Sequence, residues 1–156
     1  MSQIKLLRTD SANADFQHLI VDLNRHLSIL NGEKDSFYAA LNNTDKIRHV
    51  VVAYLDGTPV GCGAFRPTSD GQAEVKRMFV SPELRGQGIG GKVLAELETW
   101  ASEEGFPSTL LETSKRLTSA VSLYIRSEYS IIPNYGEYVG VEDSVCMQKL
   151  LVAPSS

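Results

Sequence analysis

Cysteine is scarce in this 156-residue chain. Cys62 and Cys146 are the only two, they share no CxxC spacing, and each sits in an apolar, strand-like run. Two thiols so placed form neither a disulfide framework nor a zinc site, and they read as packing residues. Histidine is equally sparse: His18, His26 and His49 contain no i, i+4 pair, so no metal is expected. Long apolar runs are missing too. The longest, Val50 to Leu55, is far shorter than the roughly 20 residues of a spanning helix, and Met1 to Lys5 lead into ordinary mixed sequence. The expectation is a soluble, cytoplasmic protein with no membrane partner. Positive charge is in short supply as well: 15 basic against 19 acidic residues give a net charge of −4. No overall field draws in a phosphate backbone, which argues against nucleic acid as a partner. With no repeat, low-complexity stretch or linker, and 42% hydrophobic residues, the length suits one domain over residues 3–152.

What is present is a succession of short periodic segments. Ile4 to Leu7 suits a strand, and Phe16, Leu19, Ile20, Leu23, Leu27 and Leu30 recur at helical steps up to the stop at Asn31-Gly32. A second short helix is expected through Phe37 to Leu41. Three β-branched runs follow, His49 to Leu55, Pro59 to Arg66 and Ala73 to Val80, separated by the turns Asp56-Gly57 and Ser69-Asp70-Gly71. They predict an antiparallel meander. Ile89, Val93, Leu94, Leu97, Trp100 and Ala101 form a helical stripe ended by Gly105. Ser108 to Thr113 reads as a strand, Ser119 to Glu128 as a helix, and Ile131-Ile132 and Ser144 to Leu151 as final strands. The order β α α β β β α β α β β is that of a mixed α+β domain.

The informative segment is Val80 to Lys92, between a strand and a helix, with glycines at 86, 88, 90 and 91. The first amides of a helix have no intrahelical partner and carry the positive end of its dipole, so a phosphate placed there gains hydrogen bonds and charge stabilisation. Glycines let a diphosphate approach the main chain, and Arg85 adds a guanidinium suited to phosphate oxygens. As Gly86-x-Gly88-x-x-Gly91 the string matches a dinucleotide fingerprint, with Glu112 about 20 residues on. The strand before it, however, carries Glu74, Lys76 and Arg77 and is separated from Gly86 by a Pro-containing turn. As Gly86-x4-Gly91-Lys92 it approaches a triphosphate loop, but Val93 replaces the magnesium-binding hydroxyl.

As Arg85-x-x-Gly88-x-Gly90 it resembles the signature Arg/Gln-x-x-Gly-x-Gly/Ala of the GNAT family of N-acetyltransferases. The resemblance covers nearly the whole chain, through the element order and the strings Gly61-Cys-Gly-Ala-Phe65, Glu74-Val-Lys-Arg-Met-Phe-Val80, Leu111-Glu-Thr113, Ala120-x-x-Leu123-Tyr124 and Ser144-Val-Cys-Met-Gln-Lys-Leu150. It implies a mostly antiparallel sheet flanked by helices. It also implies an acetyl group passed directly from acetyl-CoA to a primary amine, with a small molecule expected as acceptor. The resemblance places the pantetheine arm along Met78, Phe79 and Val80, and the pyrophosphate on the amides of Gly86 to Gly91. Arg85, Gln87, Ile89 and Lys92 belong to the same loop.

Tyr124 falls on the family's helix tyrosine near the CoA sulfur and is expected as general acid, with Glu74 as base. Arg77, Glu112, Tyr135 and Tyr138 are expected on the acceptor side, although Asn134 to Tyr138 also reads as a plain turn, and Glu74 and Glu112 as strand-face charges paired with Lys76 or Arg77. Two positions depart from the family pattern. Leu117 stands where many members have an Asn that contacts CoA, and Glu128 where Gly commonly precedes the aromatic residue, which implies a turn made differently. The resemblance further implies a homodimer through the terminal strands. The other readings are a protein lysine or N-terminal acetyltransferase, and a CoA-binding sensor without catalysis.

Overall fold

The computed structural model describes residues 3–31 and 46–151; the helix expected at Phe37 to Leu41 lies outside them. Seven strands, β1 (Ile4–Thr9), β2 (His49–Leu55), β3 (Thr58–Pro67), β4 (Ala73–Val80), β5 (Ser108–Ser114), β6 (Ser130–Ile132) and β7 (Ser144–Leu150), alternate with helices α1 (Ala14–Asn31), α2 (Ile89–Glu103) and α3 (Thr118–Arg126). The strands form one sheet in the order β1-β2-β3-β4-β5-β7-β6. β1 with β2, β2 with β3, β5 with β7 and β6 with β7 run antiparallel, whereas β4 and β5 run parallel. The expected mixed, mostly antiparallel architecture is therefore the one observed, with β7 inserted between β5 and β6.

Local chemistry explains the element ends. Asn13 caps α1, its side-chain oxygen accepting from the Phe16 amide at 2.9 Å. Asp56 and Gly57 join β2 to β3 with φ of +50° and +88°, the two left-handed residues that a type I′ hairpin demands. At the end of α2, Gly105 takes φ +92° while Phe106 N–H reaches back to the Ala101 carbonyl at 3.0 Å, the glycine stop read from the sequence.

The chain divides into two compact units, residues 1–65 with 76–97, and residues 66–75 with 98–156. In the first, Phe16, Leu19 and Leu23 of α1 pack with Ile47, Val50, Val52, Cys62, Ala64 and Phe79. The α2 residues Ile89, Val93, Leu94 and Leu97 are all at most 2% exposed, each burial stabilising the fold by about 1.5–3 kcal/mol. In the second, seven register pairs join β5 to β7, among them Leu111 with Met147 and Glu112 with Cys146.

Candidate active site

The glycine loop is built from its flanks inward. Ser81 N–H donates to the Val60 carbonyl at 2.8 Å, and Pro82–Leu84 form a single 3-10 turn with proline at its start. Gly86 and Gly88 then adopt φ of +85° and +82°. A Cβ at either would meet nothing within 4 Å, so backbone conformation rather than crowding calls for glycine there. Gly88 carbonyl accepts the first bond of α2, from Lys92 N–H at 3.1 Å. The amides of Gly88, Ile89, Gly90 and Gly91 are thus the four that an α-helix leaves without a partner of its own. Arg85 is exposed, with Nε bonded to the Val80 carbonyl at 3.1 Å and its guanidinium 5.9 Å from the centre of the Phe79 ring. One of its five donors is used in holding it beside the loop. Gln87 and Lys92 are exposed as well.

Two glycines whose roles sequence reasoning missed seat this helix. A Cβ on Gly63 would lie 2.5 Å from the Met78 sulfur, 2.8 Å from Leu97 and 2.9 Å from Val93, and one on Gly61 would lie 3.1 Å from the Phe79 carbonyl oxygen and 3.2 Å from Ile89. Their presence in β3 lets α2 and β4 approach closely. Within β4, Arg77 is 3% exposed and takes φ +63°. A non-glycine residue in that region is uncommon in a strand; Met78, Phe79 and Val80 follow it to the end of β4.

The second unit gathers several of the other candidates. Glu74 is 5% exposed. Its Oε1 accepts from Arg66 Nε at 3.2 Å and its Oε2 from the Tyr135 hydroxyl at 2.9 Å. The expectation of a strand-face charge paired with Lys76 or Arg77 is thereby corrected: a buried carboxylate must be compensated, and the partners are Arg66 and Tyr135. Tyr135 meets Tyr138 edge to face, with centroids 5.6 Å apart, and Tyr138 is 2% exposed. The turn read at Asn134 to Tyr138 exists as a 3-10 turn over Gly136–Tyr138, and the segment also brings the Tyr135 hydroxyl to the carboxylate. Burial first, then the charge of Glu74, pushes both phenols well above their ordinary range, so they remain protonated donors. Glu112 is half-buried and its Oε2 accepts from Ser144 Oγ at 2.5 Å. Asn134 Nδ2 donates to the carbonyls of Tyr138, Val141 and Ser144 at 3.2, 3.2 and 3.3 Å, tying this segment together. A depression of about 400 Å³ lies here, lined among others by Lys115, Ile131, Asn134 and Val141.

Tyr124 is 6% exposed on α3, with Tyr129 edge-on at 5.9 Å. Burial, and then the Glu112 charge, raises its pKa. The helix ends in a Schellman turn, with Tyr129 N–H to the Tyr124 carbonyl and Glu128 N–H to the Ile125 carbonyl, both at 3.0 Å. Glu128 takes φ +75° there. The expectation of a differently made turn is therefore corrected: the glutamate adopts the left-handed conformation that a glycine reaches most cheaply. Leu117 occupies the cap position of α3 and makes no side-chain capping bond.

The sequence model of the acetyltransferase (GNAT) family matches residues 14–128, a span that includes the glycine loop and Tyr124. The chain belongs to the acetyltransferase (GNAT) family. Over 154 residues it is 33% identical to the IAA acetyltransferase of Azospirillum brasilense, a match covering 97% of this chain and 100% of that one. It is similar to the crystal structure of an acyl-CoA N-acyltransferase candidate from Klebsiella pneumoniae, with a TM-score of 0.80, 27% identity and 96% and 99% of the two chains covered. A GNAT acetyltransferase of Elizabethkingia anophelis, solved with acetyl-CoA bound, shares the fold at a TM-score of 0.65 and 15% identity over 95% and 98% of the chains. This GNAT protein is an N-acetyltransferase, and Arg66 and Ser144 are the two members of its acidic cluster that sequence reasoning did not single out. Only the pairing of β3 with β4 and of β5 with β7 brings them there, and no local motif marks their part in the cluster.

Proposed function

We propose that this GNAT enzyme transfers the acetyl group of acetyl-CoA to the primary amine of a small molecule, by direct attack within a ternary complex and with residues 3–152 acting as one catalytic domain. The observation that carries the reading is the start of α2. The four amides without an intrahelical partner, Gly88 to Gly91, begin at the second of two left-handed glycines, beside an exposed Arg85 already held by the Val80 carbonyl. The pyrophosphate sits on the amides from Gly86 to Gly91, with Arg85 as a fork and Gln87 and Lys92 at the rim. A charged bond to phosphate there contributes about 1.5–3 kcal/mol. The backbone of Met78, Phe79 and Val80, which follows the left-handed Arg77, receives the pantetheine arm. Arg77 has scarcely any surface to offer an acceptor, so its part is to set the left-handed backbone ahead of Met78.

In the chemical step the neutral amine nitrogen attacks the thioester carbonyl carbon, the C–S bond breaks, and the amine's proton passes to Glu74 directly or through one water. Tyr124 is assigned to the leaving sulfur on the family's pattern. A phenol ordinarily titrates near 10, so full proton transfer from it to a thiolate whose parent thiol titrates near 8.5 is uphill, and burial of Tyr124 adds to this. Tyr124 instead lends its O–H as a hydrogen bond while solvent protonates the sulfur. Glu112, Tyr138 and the ring of Tyr135 contact the acceptor, while the Tyr135 hydroxyl stays on Glu74. Tyr124→Phe is expected to leave acetyl-CoA affinity unchanged and to lower kcat about 10- to 100-fold, the loss of one bond to a charged group. The measurement is thiol release across a panel of polyamines, amino acids and aminoglycosides. Acetylation of a peptide but of no free amine would move the reading to a protein acetyltransferase. An inert wild type that still binds acetyl-CoA would make the chain a CoA sensor.

A further inference from the structure

A glutamate free to rotate about its side-chain torsions spreads its carboxylate over several staggered rotamers, and a base so spread is rarely aimed at its proton. Glu74 is not free. Arg66, at the end of β3, holds Oε1 at 3.2 Å, and Tyr135, in the segment between β6 and β7, holds Oε2 at 2.9 Å. These donors stand 8 and 61 residues away in sequence, so only the assembled second unit brings them together. We propose that Tyr135, assisted by Arg66, is the positioning residue for Glu74: its hydroxyl fixes the carboxylate in the single orientation from which it takes the acceptor's proton. The inference rests on the reading of Glu74 as base and deepens it.

The carboxylate keeps acceptor sites for that task. A carboxylate has about four lone-pair directions, and Arg66 and Tyr135 take one on each oxygen, so a proton can arrive without displacing either. It leaves the acceptor nitrogen, lands on Glu74 and returns to solvent, while the phenolic proton of Tyr135 stays where it is. The surroundings favour this division of labour. Glu137 lies 4.0 Å from Arg66, and Tyr138 and Cys146 both feel the charges of Glu74 and Glu112. In so acidic a setting a phenol keeps its proton and acts only as a donor.

The test is a double-mutant cycle on the full chain, read as thiol release from acetyl-CoA with n-butylamine and with each member of the amine panel. Tyr135→Phe keeps the ring that packs on Tyr138 and removes only the hydroxyl, and thermal melting checks that each variant is folded. Tyr135→Phe alone is expected to lower kcat about tenfold, the worth of one hydrogen bond to a charged group, with KM for acetyl-CoA unchanged. In a Glu74→Gln background the same change should cost nothing further, because a residue that acts through another is silent once that other is gone. Equal losses in both backgrounds would overturn the proposal while leaving Glu74 as base intact. A Glu74→Gln variant as fast as wild type with every amine would remove the base itself, and the proposal with it.

Discussion

At the scale of single residues, the departures from ordinary preference are the informative ones. Glu128 holds φ +75° at the end of α3, a conformation that costs an L-residue about 1–2 kcal/mol and glycine only its extra chain entropy, about 0.5–1 kcal/mol. Glu128→Gly is therefore expected to stabilise the protein by roughly 0.5–1 kcal/mol, seen as a rise in Tm of about 2–4 °C. No change, or a fall, would mean that the exposed glutamate makes a compensating contact. Cys62 gives a second, chemical expectation. It is fully buried, and burial pushes its thiol up to about 12, leaving roughly one thiolate in ten thousand at pH 8. Iodoacetamide at that pH should leave Cys62 unmodified in the native protein and alkylate it in urea; prompt native labelling would contradict the packing.

The elements were the legible part of the sequence, for physical reasons that can be traced. The stripe Ile89, Val93, Leu94, Leu97, Trp100 and Ala101 predicted α2, and five of these six are buried with Trp100 half-buried, because a 3.6-residue period admits one buried face. Asp56-Gly57 predicted a hairpin because few residues reach φ > 0 twice in succession. The loop at Arg85 to Gly91 was legible because the anion argument is local: it depends on a helix start and on glycines, both visible in the string. The acidic cluster was not. Glu74 and Tyr135 are 61 residues apart, and which charge Glu74 meets depends on strand pairing that periodicity leaves open. The glycines of β3 were visible but their purpose was not, since it lies in what approaches them. Gly63→Ala is expected to destabilise the fold by about 1–3 kcal/mol through overpacking against Met78, Val93 and Leu97, measured as a lower midpoint in urea. An unshifted midpoint would show that the helix can retreat without loss.

At the scale of the whole molecule, the account requires that binding and stability part company at one position. Among the described residues no helix is long and apolar enough to cross a membrane, and β6 ends the sheet with Ile131 65% exposed, an edge suited to pairing with a second copy. On that proposal Ile131→Lys converts a sedimenting dimer to a monomer, whereas a wild type that sediments as a monomer at all concentrations contradicts it. The central claim, that the start of α2 seats the acetyl-CoA pyrophosphate, has a sharper test at Gly90. Gly88 is unsuitable because any side chain there would strain a left-handed backbone, but Gly90 lies within α2. Gly90→Glu replaces a poor helix former, worth about 1 kcal/mol, and puts a negative charge where the helix dipole favours it, worth about 0.3–1 kcal/mol. The same carboxylate occupies and repels the place of the diphosphate. The measurement is calorimetric titration of acetyl-CoA into the wild type and Gly90→Glu, beside their thermal melts. The account predicts micromolar binding by the wild type, and a variant that melts at or above the wild-type temperature yet binds at least tenfold more weakly. Equal affinity in a folded variant, or no binding by the wild type, would contradict it.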